Sequence, residues 1–129
     1  MTAHRLAYDL GKMGELSDPG NAGTIDVTGR SGITIGIETT SGTETRTVAA
    51  PTRAGQSLFL YYRVDGGDDV EIDFVSAVGT ALATGLLTEG DTKVVFTAIG
   101  DCIHVMSTQI SATAYAWRRM GSYGGTGTA

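Results

Sequence analysis

The sequence predicts an all-β protein: a small antiparallel β-sandwich or barrel-like domain with an extended N-terminal arm and a Gly-rich C-terminal tail. Three observations predict this. The 129 residues include 19 Gly and 19 Thr but only eight Leu, a mixture poor in helix formers and rich in turn and strand residues. Apolar residues repeat with period two, as at Ile33, Ile35 and Ile37, which gives a strand one apolar and one wet face. Turn signals separate the runs at Ser41-Gly42, Asp65-Gly66-Gly67-Asp68, Glu89-Gly90-Asp91 and Gly100-Asp101.

The elements follow in order. Residues 1–23 read as an arm. Leu6 and Leu10 sit four apart, the spacing of a helical turn, but so short a segment is marginal as a free helix. Asp18-Pro19-Gly20-Asn21 marks a turn. A strand runs through residues 33–38. Residues 43–49 form a polar, Thr-rich strand suited to a sheet edge or a subunit contact. In residues 58–64 both faces are large and apolar, so this strand is expected to be buried on both sides. The Asp65-Gly66-Gly67-Asp68 turn then predicts a hairpin returning through Val70, Ile72 and Phe74. Residues 77–87 are small and apolar, a loose strand pair or a loop over the core. Strands follow at 93–99, 102–110 and 112–120. Residues 121–129, with four Gly, read as a flexible tail. The body is thus one domain, residues 24–120, of a length that buries a core unaided.

Charge and cysteine narrow the function. The formal net charge is −5, and the nine basic residues are scattered apart from Arg118–Arg119. Nucleic-acid binding needs a basic stripe, so no nucleic-acid partner is expected. No apolar run approaches the ~20 residues of a membrane span, and no apolar h-region follows Met1. Cys102 is the single cysteine, which excludes an internal disulfide and a CxxC zinc or redox site and fits a reducing cytoplasm.

The candidate sites are few. Asp65, Asp68, Asp69, Glu71 and Asp73 could supply oxygen ligands to calcium, but the spacing is not an EF-hand loop, and a solvated turn and strand face is the better reading. Cys102 and His104 share one strand face. A nucleophilic thiolate needs an orienting group, and none is apparent, so Cys102 reads as a small packed hydrophobe. No GxSxG elbow or phosphate loop is present. No catalysis and no cofactor are therefore expected. Tyr61, Tyr115 and Trp117 are the aromatics suited to a subunit or ligand contact, and Arg118 and Arg119 beside Trp117 fit the residue types favoured at binding hot spots.

One stretch resembles a known family. Ala50-Pro51-Thr52-Arg53-Ala54-Gly55-Gln56-Ser57-Leu58-Phe59-Leu60 is similar to an A-P-x-x-A-G-Q-x-L-x-L element of tailed-bacteriophage capsid decoration (cement) proteins. The acidic glycine turn at 65–69, the alternating strand at 70–74, Gly100-Asp101 before Ile103, and Trp117-Arg118-Arg119 extend the resemblance over residues 43–120. It implies a structural virion protein, made in the host cytoplasm and placed on the capsid exterior. There it would bridge major capsid proteins, commonly as a homotrimer. Leu6, Tyr8 and Leu10 of the arm, with Tyr115, Trp117 and Arg118, are then the expected partner contacts. The rival is a carbohydrate- or receptor-binding module of a phage tail or fibre, with Tyr61, Tyr115 or Trp117 in a groove.

Overall fold

The computed structural model describes residues 14–75, 93–124 and 126–128. These form ten strands and no helix: β1 (Gly14–Leu16), β2 (Gly23–Ile25), β3 (Ile33–Glu38), β4 (Glu44–Val48), β5 (Ser57–Val64), β6 (Val70–Phe74), β7 (Lys93–Phe96), β8 (Cys102–Ser111), β9 (Ala114–Tyr123) and β10 (Thr126–Thr128). The expected arm segment around Leu6, Tyr8 and Leu10, the segment 77–87 and the turn at Glu89-Gly90-Asp91 lie outside the described residues.

Two five-stranded sheets form, in the orders β1-β3-β5-β8-β9 and β10-β7-β6-β4-β2. The expected antiparallel sandwich or barrel is overturned, because both sheets are mixed. In the first, β1 runs parallel to β3 and β3 to β5. In the second, β2 runs parallel to β4 and β4 to β6. From β1 to β6 every connection therefore carries the chain from one sheet to the other, so the first half is wound as three stacked coils. Antiparallel β7 then closes on β6, β8 on β5, β9 on β8 and β10 on β7.

The predicted hairpin over residues 58–74 is overturned by the same winding. β5 and β6 are real strands with the expected apolar faces, but they lie in different sheets. Leu58, Leu60 and Tyr62 of β5 and Val70, Ile72 and Phe74 of β6 are all buried. Two apolar faces are covered equally well by lying opposite one another as by pairing side by side. The turn settles which: Tyr62 Oη donates to the Asp68 carbonyl at 2.7 Å, Gly66 N donates to Thr39 Oγ1 at 2.8 Å, and the chain crosses the end of the core. Tyr62 also stacks on Phe96, with ring centroids 6.3 Å apart. The other face of β5 is half-exposed at Phe59 and Tyr61, so this strand is not buried on both sides.

Further differences concern the edges. β4 is no edge strand: it sits between β2 and β6 and buries Glu44 and Arg46. Residues 14–23 of the expected arm hold β1 and begin β2, and the expected tail contributes the end of β9 and β10. Both are short stretches whose few side chains hide a strand's period from the sequence.

Three crossings share one device. Thr40 N donates to Glu44 Oε2 at 2.7 Å, Thr52 N to Gln56 Oε1 at 2.8 Å, and Thr97 N to Asp101 Oδ2 at 2.9 Å. In each, a buried side chain just before or at the start of a strand reaches back four residues to bond the N–H of an exposed loop threonine and so fixes the turn. Gly55 and Gly100, with φ of 83° and 95°, immediately precede Gln56 and Asp101 and supply the left-handed backbone that turns the loop. Gln56 does more, since its Nε2 donates to the carbonyls of Val27 at 2.9 Å and Arg30 at 3.2 Å. An acid could not donate those bonds.

The core is Ile33, Ile35, Ile37, Leu58, Leu60, Ile103 and Val105 of one sheet against Val48, Val70, Ile72, Val94 and Phe96 of the other, each at most 1% exposed. Burying one such side chain stabilises the fold by about 1.5–3 kcal/mol. Close packing extends to the arch at residue 66. A Cβ on Gly66 would lie 2.5 Å from the Thr39 and Thr40 carbonyl oxygens, which are backbone and cannot swing away. Gly66→Ala is expected to lose about 1–3 kcal/mol in urea unfolding. Gly121→Ala, where a Cβ meets nothing within 4 Å, is the control and is expected to be neutral.

Candidate interaction surface

The alternation that fills the core also decides what faces out of the first sheet. With Ile33, Ile35, Leu58, Leu60, Ile103 and Val105 inward, the outer face carries Thr34 and Gly36 of β3, Phe59 and Tyr61 of β5, and Cys102, His104 and Met106 of β8. Most of these are half-exposed. Phe59 and Tyr61 stack with centroids 6.0 Å apart. Register places Phe59 beside His104 and Tyr61 beside Cys102. The result is a flat, partly apolar face.

A cleft of about 360 Å³ opens at one side of this face, lined by Glu15, Leu16, Ser17, Asp18, Gly36, Glu38 and Arg63. Gly36 creates the room. A Cβ there would lie 2.8 Å from Tyr61 Oη and from Arg63 Cδ, so glycine lets both side chains lie across β3. Arg63 stands between Glu38, at 3.3 Å, and Glu15, at 3.5 Å. Tyr61 Oη donates to Glu15 at 3.3 Å. These ion pairs are about half exposed and are worth at most about 1 kcal/mol each.

Beneath the cleft lies the strongest electrostatic feature. Arg46 is fully buried, and its Nε and Nη2 donate to the two oxygens of Asp18 at 2.6 and 2.8 Å. Its Nη2 also reaches Glu44 Oε1 at 3.1 Å and the Glu38 carbonyl at 3.0 Å, and Nη1 reaches the Thr45 carbonyl at 3.0 Å. Asp18 accepts from the N–H groups of Glu38 and Gly20 as well. Every buried polar side-chain atom among the described residues is bonded, which a buried charge cluster requires if it is not to destabilise. Burial works to raise the Asp18 carboxyl, but Arg46 and the two backbone donors hold it below the usual range. The Thr40 N–H, with Arg46, lowers Glu44 against its own burial. Burial works against the Arg46 charge, and Asp18 and Glu44 overcome it and raise that guanidinium.

The expected site residues fall into three groups. Trp117 is in the core, 2% exposed, with its Nε1 donating to the Ala49 carbonyl at 2.9 Å. Tyr115 and Arg118 are half-exposed on β9, and Arg118 Nε reaches Thr108 Oγ1 at 3.4 Å. Leu6, Tyr8 and Leu10 lie outside the described residues. Cys102 and His104 do share the outer face, and His104 Nε2 lies 2.9 Å from Ser57 Oγ, a partner the sequence did not point to. In the acidic cluster, Asp65 accepts from Gly67 N, Asp68 from Asp69 N, and Glu71 pairs with Lys93 at 3.2 Å. No group of three or more His, Cys, Asp or Glu among the described residues is arranged to hold a metal ion.

β9 completes the surface. It is ten residues long and pairs only with β8, so among the described residues its other edge is open. Arg119 is exposed along it, and Met120 and Tyr123 are 58% and 75% exposed. Natural sheets seldom leave so long an edge uncovered unless it is charged, bulged or used. Arg118, Arg119 and the irregularity opposite His104 and Val105 supply charge and a bulge. No protein-family model matches this chain, and no curated protein matches it significantly in sequence.

Asp18 and Glu44 titrate lower in the folded chain than in the unfolded one. Their stabilisation is complete at neutral pH and is lost as pH falls through the folded values. The urea midpoint is expected to be flat down to about pH 5 and to fall below it. Arg46→Met leaves two buried carboxylates unpaired and is expected to cost about 3–5 kcal/mol at pH 7. It is also expected to flatten the acid slope, because Arg46 no longer helps to lower Asp18 and Glu44 while their backbone donors remain. An unchanged acid slope in Arg46→Met would refute this account.

Proposed function

We propose that this chain is a structural virion protein that binds the outside of a phage head, bridges major capsid proteins as a homotrimer, and catalyses no reaction. The observation that carries the reading is the open edge of β9 beside the outer face of its sheet. A ten-residue strand with one side unpaired among the described residues, flanked by Tyr115, Arg118, Arg119 and Met120, is an adhesive surface held on a two-sheet body. Strand edges bind through main-chain hydrogen bonds, with side chains setting specificity. The resemblance of residues 43–120 to capsid decoration proteins supports the same reading. Repetition over many capsid sites turns individually weak contacts into durable attachment.

The tail-module rival needs an exposed aromatic platform. Trp117, its strongest aromatic, is buried, whereas Tyr61 and Tyr115 are half-exposed. The capsid reading is preferred here on the β9 edge and on the resemblance of residues 43–120.

Co-sedimentation with capsids that lack the protein tests the proposal. Saturable binding at a fixed ratio to the major capsid protein is expected, with a gain in capsid heat resistance. Deleting residues 2–13 removes Leu6, Tyr8 and Leu10 but spares β1 and Asp18, and is expected to abolish binding while the body stays folded. No binding of the intact protein at micromolar concentration would overturn the reading.

A further inference from the structure

The strand directions sort the charges. β3 and β5 end where the 65–69 arch crosses the core, and there Asp65 and Asp68 are exposed and Asp69 half-exposed. The one exposed cation of the cleft at this end, Arg63, is already paired with Glu15 and Glu38. β3 and β5 begin at the opposite end, beside the loop that carries Arg53. Register brings the basic part of β9 to that level: Arg119 stands opposite Val105 and Arg118 opposite Met106, and these pair with Leu58 and Ser57 at the start of β5. Arg53 and Arg119 are exposed and form no ion pair among the described residues. Among the described carboxylates near this end, Asp26 is bonded to Thr28 and Asp73 stands opposite Lys93 on the other sheet. Among the described residues, the 65–69 arch is therefore an acidic patch and the Arg53–Arg119 edge a basic one, on a chain of net charge −5.

This polarity restricts how two copies can meet. Pairing two β9 edges about a two-fold axis near Arg118–Arg119 sets arginine against arginine, and like charges directly opposite on paired strands are destabilising. Acidic arch against basic edge has no such conflict. That contact uses two different patches, so it is heterologous and closes into a ring when the rotation allows. We propose that the 65–69 arch of one copy docks on the Arg53–Arg119 edge of the next, so that this protein assembles head to tail. The inference rests on the proposed repetitive assembly for its setting, while its chemistry is a property of the free protein and is tested without capsids.

Analytical ultracentrifugation of the purified chain decides it. In low salt an oligomer is expected, shifting to monomer in about 1 M salt, where the Debye length is about 3 Å. Asp68→Lys/Asp69→Lys and Arg53→Glu/Arg119→Glu are each expected to weaken self-association at least about tenfold. Mixing these two variants is expected to restore association, because each now presents the charge the other lacks. The mixed species must alternate, so only even-numbered assemblies can close, a result that a folding defect does not produce. If circular dichroism shows that a reversed variant is unfolded, Asp68→Asn/Asp69→Asn and Arg53→Gln/Arg119→Gln replace it, with weaker association expected from both. A wild-type monomer in low salt, or an oligomer indifferent to salt and to both variants, would overturn the proposal. Capsid binding by a chain that stays monomeric would do so while leaving the capsid reading intact.

Discussion

The winding of this protein depends on buried side chains that bond the backbone where the chain changes sheets. A hairpin turn lies in the plane of its sheet and leaves its free N–H groups to water. A crossing from sheet to sheet runs over the end of an apolar core, and its loop N–H groups have no ladder partner to fix the turn. Glu44, Gln56 and Asp101 accept from those groups. Asp18 does the same from the first connection, accepting from Gly20 N and Glu38 N while holding the Arg46 guanidinium. Remove these acceptors and the crossings lose the bonds that fix their turns. Local pairing would then be the cheaper arrangement.

The same network explains how a three-residue strand such as β1 holds its place. Three ladder positions against β3 are a weak attachment. Asp18, two residues beyond β1, adds bonds to β3 through Glu38 N and to β4 through Arg46. The outer face of the first sheet inherits its shape from this anchorage. The cleft has one wall from β1 and Asp18 and its floor from Gly36, with Arg63 between Glu15 and Glu38 above. Core, crossing and surface are thus one connected structure, in which the buried cation positions groups that solvent or a partner can reach.

Much of the strand content was legible in the sequence, and little of the pairing was. Period two located β3, β5, β6 and β8, because alternation reports which side of a strand is apolar. It carries no information on whether the next strand pairs beside it or lies opposite, so the arch at residues 65–69 was read as a hairpin. β4 was misplaced at an edge because its threonines suggested exposure. Its own parity held the signal: Glu44, Arg46 and Val48 alternate on one face, and an acid and a base two apart on an inward face can neutralise each other. Trp117 sits beside Ala116 with both buried, which strict alternation forbids. In the regular stretch of the β8–β9 ladder Trp117 stands opposite the buried Ser107, so the indole turns inward, a placement that required knowing the pairing. The His104–Ser57 contact required knowing that β5 and β8 are neighbours.

The coiled first half also bears on how the molecule is made. β1 to β6 stack in the order in which they leave the ribosome, and each parallel strand needs only the coil before it as a template. Parallel pairing brings together residues a whole coil apart, so each step carries the entropy of closing a long loop, and chains dominated by such contacts fold slowly. Synthesis offsets that disadvantage by delivering the coils singly, earliest first. The antiparallel strands β7 to β10 arrive last and cover the sheet sides left open by β5 and β6. Until they do, the newest coil presents an unpaired edge, which is the interval in which a nascent chain of this topology is most exposed to pairing with the wrong neighbour.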